Sequence, residues 1–185
     1  MLHVLTGSAK GRKLRVPSGR RVRPTTGRVK QSMFDTLGDL EGLSVLDVFS
    51  GTGTLGIEAL SRGASSSVFI ERDPGVAVLL KENLGACGFS ERSTLISMHY
   101  EGALKKLARE SREFDIIFLD PPYPLYSTLS PNDLVHRVAH LLSPRGIVVI
   151  KHPQGFEGIP PERLKAETRS YGDTRVTFLV KGRGE

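Results

Sequence analysis

From Ser44 onward, short apolar runs alternate with stretches whose apolar residues recur at helical spacing, the pattern of stacked βαβ units and a mostly parallel sheet. Strands are predicted at 44–49, 67–71, 94–97, 114–119 and 146–151, each too short and too uniformly apolar to be an amphipathic helix. Between them helices are predicted at 55–62, 74–86, 101–110 and 131–142, with Leu55, Ala59 and Leu60 facing inward in the first and Val76, Leu79, Leu80 and Leu84 in the second. The ends depart from this alternation. Residues 2–6 and 12–16 read as a hairpin around Gly7 and Gly11, followed by an extended Arg-rich segment. A helix capped by Thr25 or Thr26 then runs through Val29, Met33, Phe34 and Leu37 to a stop at Gly38. At the other end, 163–171 and 175–180 form an antiparallel hairpin turning at Gly172-Asp173. The expected fold is an α/β, doubly wound, mostly parallel seven-stranded sheet of Rossmann-like type. It carries an antiparallel C-terminal hairpin and a small N-terminal β-hairpin with a basic extension.

The 185 residues, 38% hydrophobic and 25% charged, match one domain with a real core. Neither internal repeats nor low-complexity segments appear, and only 153–161 has linker-like composition. One cysteine, Cys87, makes no internal disulfide, and its expected role is packing. The opening residues lack the apolar stretch of a signal peptide, and no apolar run approaches the roughly 18 residues of a membrane span, so a cytoplasmic protein is expected.

Charge is unevenly distributed, and that changes the picture. Residues 1–34 hold nine bases (Lys10, Arg12, Lys13, Arg15, Arg20, Arg21, Arg23, Arg28 and Lys30) and no acid, leaving 17 bases against 20 acids in the rest. A mildly acidic body with a basic front end calls for a polyanionic partner, because Lys and Arg gain affinity by displacing counterions from phosphates. A solvated arm without a specific partner is the plainer alternative. Residues 1–38 are read as this extension and 39–185 as the main domain, with Lys10, Arg12, Lys13, Arg20, Arg21, Arg23 and Arg28 as candidate phosphate contacts.

The stretch from Val45 to Gly56 is a buried strand, a glycine turn and a helix start, with Gly51, Gly53 and Gly56 satisfying G-x-G-x-x-G. Glu71 follows 20 residues after Gly51, where a carboxylate can accept hydrogen bonds from ribose hydroxyls. The glycines alone do not choose between NAD and S-adenosylmethionine. Asp47 tips the balance: its charge at the strand end would repel a pyrophosphate but welcome an ammonium and a sulfonium. Bracing of the loop by Asp47, or pairing of Glu71 with Arg72, are the structural alternatives. Phe49, Ser50, Gly51, Thr52, Gly53 and Arg72 complete the candidate cofactor set from this part of the chain.

After the strand at 114–119 comes Asp120-Pro121-Pro122-Tyr123, at the carboxyl end of a strand next to the expected switch point. An exocyclic base amine is a poor nucleophile because its lone pair is delocalised into the ring. Asp120 can accept one of its N–H groups and the Pro121 carbonyl another, aiming the lone pair; Tyr123 offers a flat face for an extruded base. The bland alternative is a rigid turn with a surface tyrosine. No metal is required, since rate would come from positioning and preorganised electrostatics.

Together with Gly11-Arg12-Lys13-Leu14, Pro17, the run from Arg23 to Lys30 and Met33-Phe34, these motifs resemble the RsmD family of 16S rRNA guanine-N2 methyltransferases over nearly the whole chain. The resemblance implies a class I methyltransferase using S-adenosyl-L-methionine. It implies a small-subunit rRNA or assembling 30S particle as partner, no membrane and no metal, and a basic front end that helps hold RNA; a monomer is expected. The family usually has Asp at Gly27, Glu at Gln31 and often an acid at Lys151. An acidic or amide residue near the adenine is expected at Glu101 or a neighbour. Adenine-N6 methylation, an NAD-dependent oxidoreductase and a non-catalytic RNA-binding factor are the competing readings. His136 and His140, four apart on a predicted helix, lack a third metal ligand, and His152 near the site is not needed as a base if the proton leaves to solvent.

Overall fold

The computed structural model describes residues 2–17, 27–153 and 164–182. Seven strands, β1 (Ser44–Asp47), β2 (Ser66–Ile70), β3 (Ser93–Ile96), β4 (Phe114–Leu119), β5 (Leu142–Pro153), β6 (Leu164–Tyr171) and β7 (Thr174–Lys181), form one sheet in the order β3-β2-β1-β4-β5-β7-β6. Pairings among the first five are parallel, and β7 runs antiparallel between β5 and β6. Strand order reverses between β1 and β4, so the crevice of a doubly wound sheet opens at their carboxyl ends.

The strands are apolar because both faces are covered. Val45, Phe69, Ile116, Phe118 and Val149 pack on one face with residues of α1 (Gly27–Leu37), α2 (Thr54–Ser61) and α3 (Pro74–Cys87). Their strand neighbours Leu46, Val68, Ile70, Ile117, Leu119, Val148 and Ile150 pack on the other with α4 (Tyr100–Arg109) and α5 (Pro131–Val138). Asp47, at the end of β1, and Lys151, near the end of β5, keep the same alternation as Val45 and Val149, and both are buried. No helix among the described residues is long and apolar enough to cross a membrane.

The seven strands match the expectation to within a few residues, with two differences. β1 stops at Asp47 rather than 49, and β5 starts at Leu142 rather than 146, since α5 ends at Val138 and a 3-10 turn covers Ala139–Leu141. His136 and His140 therefore do not lie on one regular helix. The front hairpin keeps only one ladder bridge, between His3 and Lys13, along with bonds such as Val4 N–H to the Arg12 carbonyl at 3.0 Å. Several of its other donors turn to α2 instead. The Leu5 and Thr6 N–H groups reach the Glu58 carboxylate at 2.8 and 3.0 Å, and the Ala9 N–H reaches the Ser61 hydroxyl at 2.9 Å. Gly7, in the left-handed region at φ 81°, lies so close to the Ser61 carbonyl that any side chain would collide with it. The Thr25 or Thr26 cap of α1 falls outside the described residues.

Glu58 fastens this docking. It is fully buried beside Lys30, Nζ to Oε2 at 2.9 Å, and Arg62, Nε to Oε1 at 3.1 Å. Burial alone would push its carboxyl up, but the Leu5 N–H, the Lys30 ammonium and the Thr6 hydroxyl outweigh that and hold it below the ordinary glutamate range. Lys30, grouped with the basic front end by sequence, is thus an internal counter-ion. Glu58→Ala strands its ammonium in the core, and denaturant titration is expected to show a loss of about 3–5 kcal/mol.

Candidate active site

The crevice at the carboxyl ends of β1, β2, β4 and β5 gathers the charged residues at those strand ends. Asp47 accepts the Gly56 N–H at the start of α2 through Oδ2 at 3.1 Å. Its Oδ1 is buried and meets no donor among the described residues. Burial, then the charges of Asp120 and Glu71, against the Gly56 N–H, push its carboxyl up to about 7. A carboxylate kept in this state awaits a positive partner.

The glycine turn between β1 and α2 is shaped by its neighbours. Gly53, at φ 87°, caps α2 in the left-handed region, where a side chain would strike Leu80. Over Gly51 the space is open, and its N–H is held by Glu71 Oε2 at 3.0 Å. Glu71 braces a second turn through Oε1, which accepts the Asp73 N–H at 2.8 Å. Its partners here are thus backbone N–H groups of the glycine turn and of the α3 cap. Ser50 is buried, and its hydroxyl donates to the Asp47 and Ile70 carbonyls at 2.7 and 3.1 Å, which makes it a brace of the loop. Thr52 is buried, its carbonyl held by Asn83 at 3.0 Å, whereas Arg72 is exposed. Phe49 packs on Tyr100 with ring centroids 5.0 Å apart. Glu101, on the first turn of α4, pairs with Arg137 of α5 at 2.8 Å and lies 3.8 Å from His99.

Asp120 follows β4 directly and is gripped by Lys151, Nζ to Oδ1 at 2.6 Å and to Oδ2 at 2.9 Å. Pro121 is buried, and its carbonyl meets no donor among the described residues. Pro122 opens a 3-10 turn, Tyr123–Ser127, that fixes two tyrosines. The Tyr123 hydroxyl lies 2.9 Å from Thr174 Oγ1 on β7, and Tyr126 donates to the Lys151 carbonyl at 2.6 Å. Next to Lys151, His152 is buried, and its Nε2 lies 2.8 Å from the Thr177 hydroxyl; burial pushes its pKa down.

Two contributors carried no clear signal in the motifs. Asn83, a polar residue in the inward stripe of α3, accepts the Arg15 N–H and donates to the Arg15 and Thr52 carbonyls, tying the front segment to the glycine turn. Lys151 is legible only through its register: Ile150 pairs with Leu119, which sets Lys151 beside Asp120. Of the basic candidates, Lys10, Arg12, Lys13 and Arg28 are exposed, and Arg20, Arg21 and Arg23 lie outside the described residues. The Gln31 amide on α1 donates to Asp35 at 2.6 Å and accepts from Arg62 at 3.3 Å. No group of three or more His, Cys, Asp or Glu gathers among the described residues as metal ligands would.

A family model described as conserved hypothetical protein 95 matches residues 2–180. The chain belongs to this family, the RsmD-type methyltransferases. The Bacillus subtilis protein YlbH, named as a candidate rRNA methyltransferase, is 34% identical over 97% of this chain and 99% of its own length. Ribosomal RNA small subunit methyltransferase D of Escherichia coli is 36% identical, the match covering 66% of this chain and 60% of that protein. Among solved structures, the Escherichia coli protein yhhF, titled as a candidate methyltransferase, superposes with a TM-score of 0.85 at 25% identity, covering 99% of both chains. The protein is a methyltransferase dependent on S-adenosylmethionine. The crevice fits that cofactor: a buried carboxylate oxygen without a donor, open space above Gly51, and a second carboxylate at the next strand end.

Because only ionised Asp47 attracts an ammonium, affinity for S-adenosylhomocysteine is expected to fall about tenfold from pH 8 to pH 6 by titration calorimetry, bracketing the Asp47 value of about 7. In the ligand-free protein the sign reverses. The raised carboxyl binds its proton more tightly folded than unfolded, so its contribution to stability is fully present below the unfolded value of 3.8 and is lost as pH rises through about 7. Asp47→Asn removes that loss. It is expected to melt on the order of 10 °C higher at pH 8 while binding S-adenosylhomocysteine at least tenfold more weakly.

Proposed function

We propose that the protein methylates the exocyclic N2 amine of a guanine in 16S ribosomal RNA, as free RNA or within an assembling 30S particle in the cytoplasm. The observation that carries this reading is the placement of Asp120-Pro121-Pro122-Tyr123 at the end of β4, across the switch point from Asp47. The name of the Escherichia coli relative, a small-subunit rRNA methyltransferase, supports the choice of RNA.

Asp47 would hold the cofactor's ammonium and Glu71 its ribose hydroxyls, and Phe49, Ser50, Gly51, Thr52, Gly53, Arg72 and Glu101 would complete the residues that bind it. When bound, S-adenosylmethionine supplies a methyl group on an electron-poor sulfonium. Asp120 and the Pro121 carbonyl each accept one N–H of the target amine, which turns its lone pair into the crevice. Asp120 also offsets the positive charge that grows on nitrogen, and the proton then leaves to solvent. Tyr123 stacks on the extruded base; its hydroxyl, fixed to Thr174, limits the swing of the ring. Pro122 keeps this turn rigid.

Residues 1–38 form the RNA-holding extension and 39–185 the methyltransferase domain in this reading. In this reading Lys10, Arg12, Lys13, Arg20, Arg21, Arg23 and Arg28 are the residues that meet phosphates.

Incubating the protein with labelled S-adenosylmethionine and undermethylated small subunits should place label in N2-methylguanosine; label confined to N6-methyladenosine would reassign the base. In the same assay Asp120→Ala is expected to lose at least 100-fold in kcat while calorimetry shows S-adenosylhomocysteine binding within about threefold of wild type. Reversing charge at Lys10, Arg12 and Lys13 should raise KM for RNA and flatten its salt dependence by up to three phosphate contacts' worth of slope.

A further inference from the structure

The Lys151–Asp120 pair stands at the point where the reading above puts the target amine. Both groups are largely enclosed, with 9% and 21% of their side chains exposed, and the ammonium touches both carboxylate oxygens, at 2.6 and 2.9 Å. A buried pair of this kind is a weak source of stability, because desolvation offsets most of the attraction. Its placement points elsewhere. An ammonium that touches both oxygens of a carboxylate fixes the direction in which its acceptor lone pairs point.

Two further features fix the lysine. Its backbone carbonyl accepts the Tyr126 hydroxyl at 2.6 Å, and β5 pairs it with Val176 of β7. The segment after the Asp-Pro-Pro-Tyr motif is thus clasped to the same residue that holds the motif's carboxylate. Among the groups that act on Asp120 or its neighbours are Asp47 from β1, Lys151 from β5 and Tyr126 from the 3-10 turn; Glu71 adds a third carboxylate that acts on Asp47. Within that acidic set, Lys151 is in direct contact with Asp120.

We propose that Lys151 is a positioning residue for methyl transfer: its ammonium, in contact with both oxygens of Asp120, locks the orientation of that carboxylate toward the incoming amine and offsets part of the charge of the three carboxylates. This rests on the amine-methyltransferase reading. It acts through Asp120 and not on the cofactor, so its removal disturbs turnover more than binding. A misplacement of about 1 Å at a reacting group is enough for a loss on the order of 100-fold.

The test compares wild type, Lys151→Met and Lys151→Arg in steady-state methylation of undermethylated small subunits, with S-adenosylhomocysteine affinity measured by calorimetry. Lys151→Met is expected to lose 10- to 100-fold in kcat, with KM for the particle and cofactor affinity within about threefold, and Lys151→Arg to return within about fivefold of wild type. In an Asp120→Asn background, Lys151→Met should have no further effect, since there is no carboxylate left to orient. Unchanged or faster turnover in Lys151→Met overturns the proposal, the latter making the pair a latch that competes with the amine. A change confined to KM, or an additive effect in the double variant, also overturns it. If Lys151→Met fails to bind S-adenosylhomocysteine, Lys151→Gln takes its place in the same comparison. A wild type that binds S-adenosylhomocysteine yet methylates no base amine defeats the amine-methyltransferase reading itself, and this proposal with it; an active wild type with an indifferent Lys151→Met defeats this proposal alone.

Discussion

Asp47 is a buried carboxyl that no cation among the described residues neutralises, and burial pushes its pKa up to about 7. One oxygen takes the Gly56 N–H, and the other is buried and meets no donor among the described residues. Everything near it follows from that constraint. The strand must end there, because the next residues have to turn and bring the α2 N-terminus within hydrogen-bond reach. Gly53 must take a left-handed conformation for the turn to close under Leu80. Glu71 must then hold the turn from the neighbouring strand end. A site that keeps a carboxylate half-satisfied is destabilised without its ligand, and a cationic ligand recovers that energy as affinity.

The same logic separates the two buried acids of this half of the molecule. Glu58 is surrounded by Lys30, Arg62, the Thr6 hydroxyl and two backbone N–H groups, so its charge is balanced and its work is structural. It fixes the front hairpin on α2, while Asn83 fixes the following segment on the glycine turn. The exposed bases of the hairpin are therefore held at a set place relative to the crevice rather than carried on a loose arm.

Much of this was legible in the chain. Alternating apolar runs gave the parallel sheet, and the spacing from Asp47 to Glu71 to Asp120 placed three carboxylates at successive strand ends, because strand ends on a common edge are set by the βαβ repeat. What the sequence concealed depends on partners distant along the chain. Lys30 looks like one more base of a basic segment until Glu58, 28 residues away, is seen buried beside it. The front strands looked regular, yet their donors are diverted to α2 side chains, a competition that local propensity does not register. The Lys151 grip on Asp120 comes from strand register, which periodicity cannot fix across a crossover.

Charge on this molecule is sorted by task. Exposed lysines and arginines of the hairpin and α1 create a field that draws phosphates, and that field decays over roughly 10 Å at 0.1 M salt. The crevice presents the opposite sign: Asp47, Glu71 and Asp120 against Lys151. A phosphate is repelled from such a crevice, whereas a neutral base with N–H donors and a cationic cofactor are accepted. In the function proposed above, an RNA is held by its backbone outside the crevice and offers only a base to it. That division follows from the signs of the charges and their positions, and it favours chemistry on an extruded base over chemistry on the chain of phosphates.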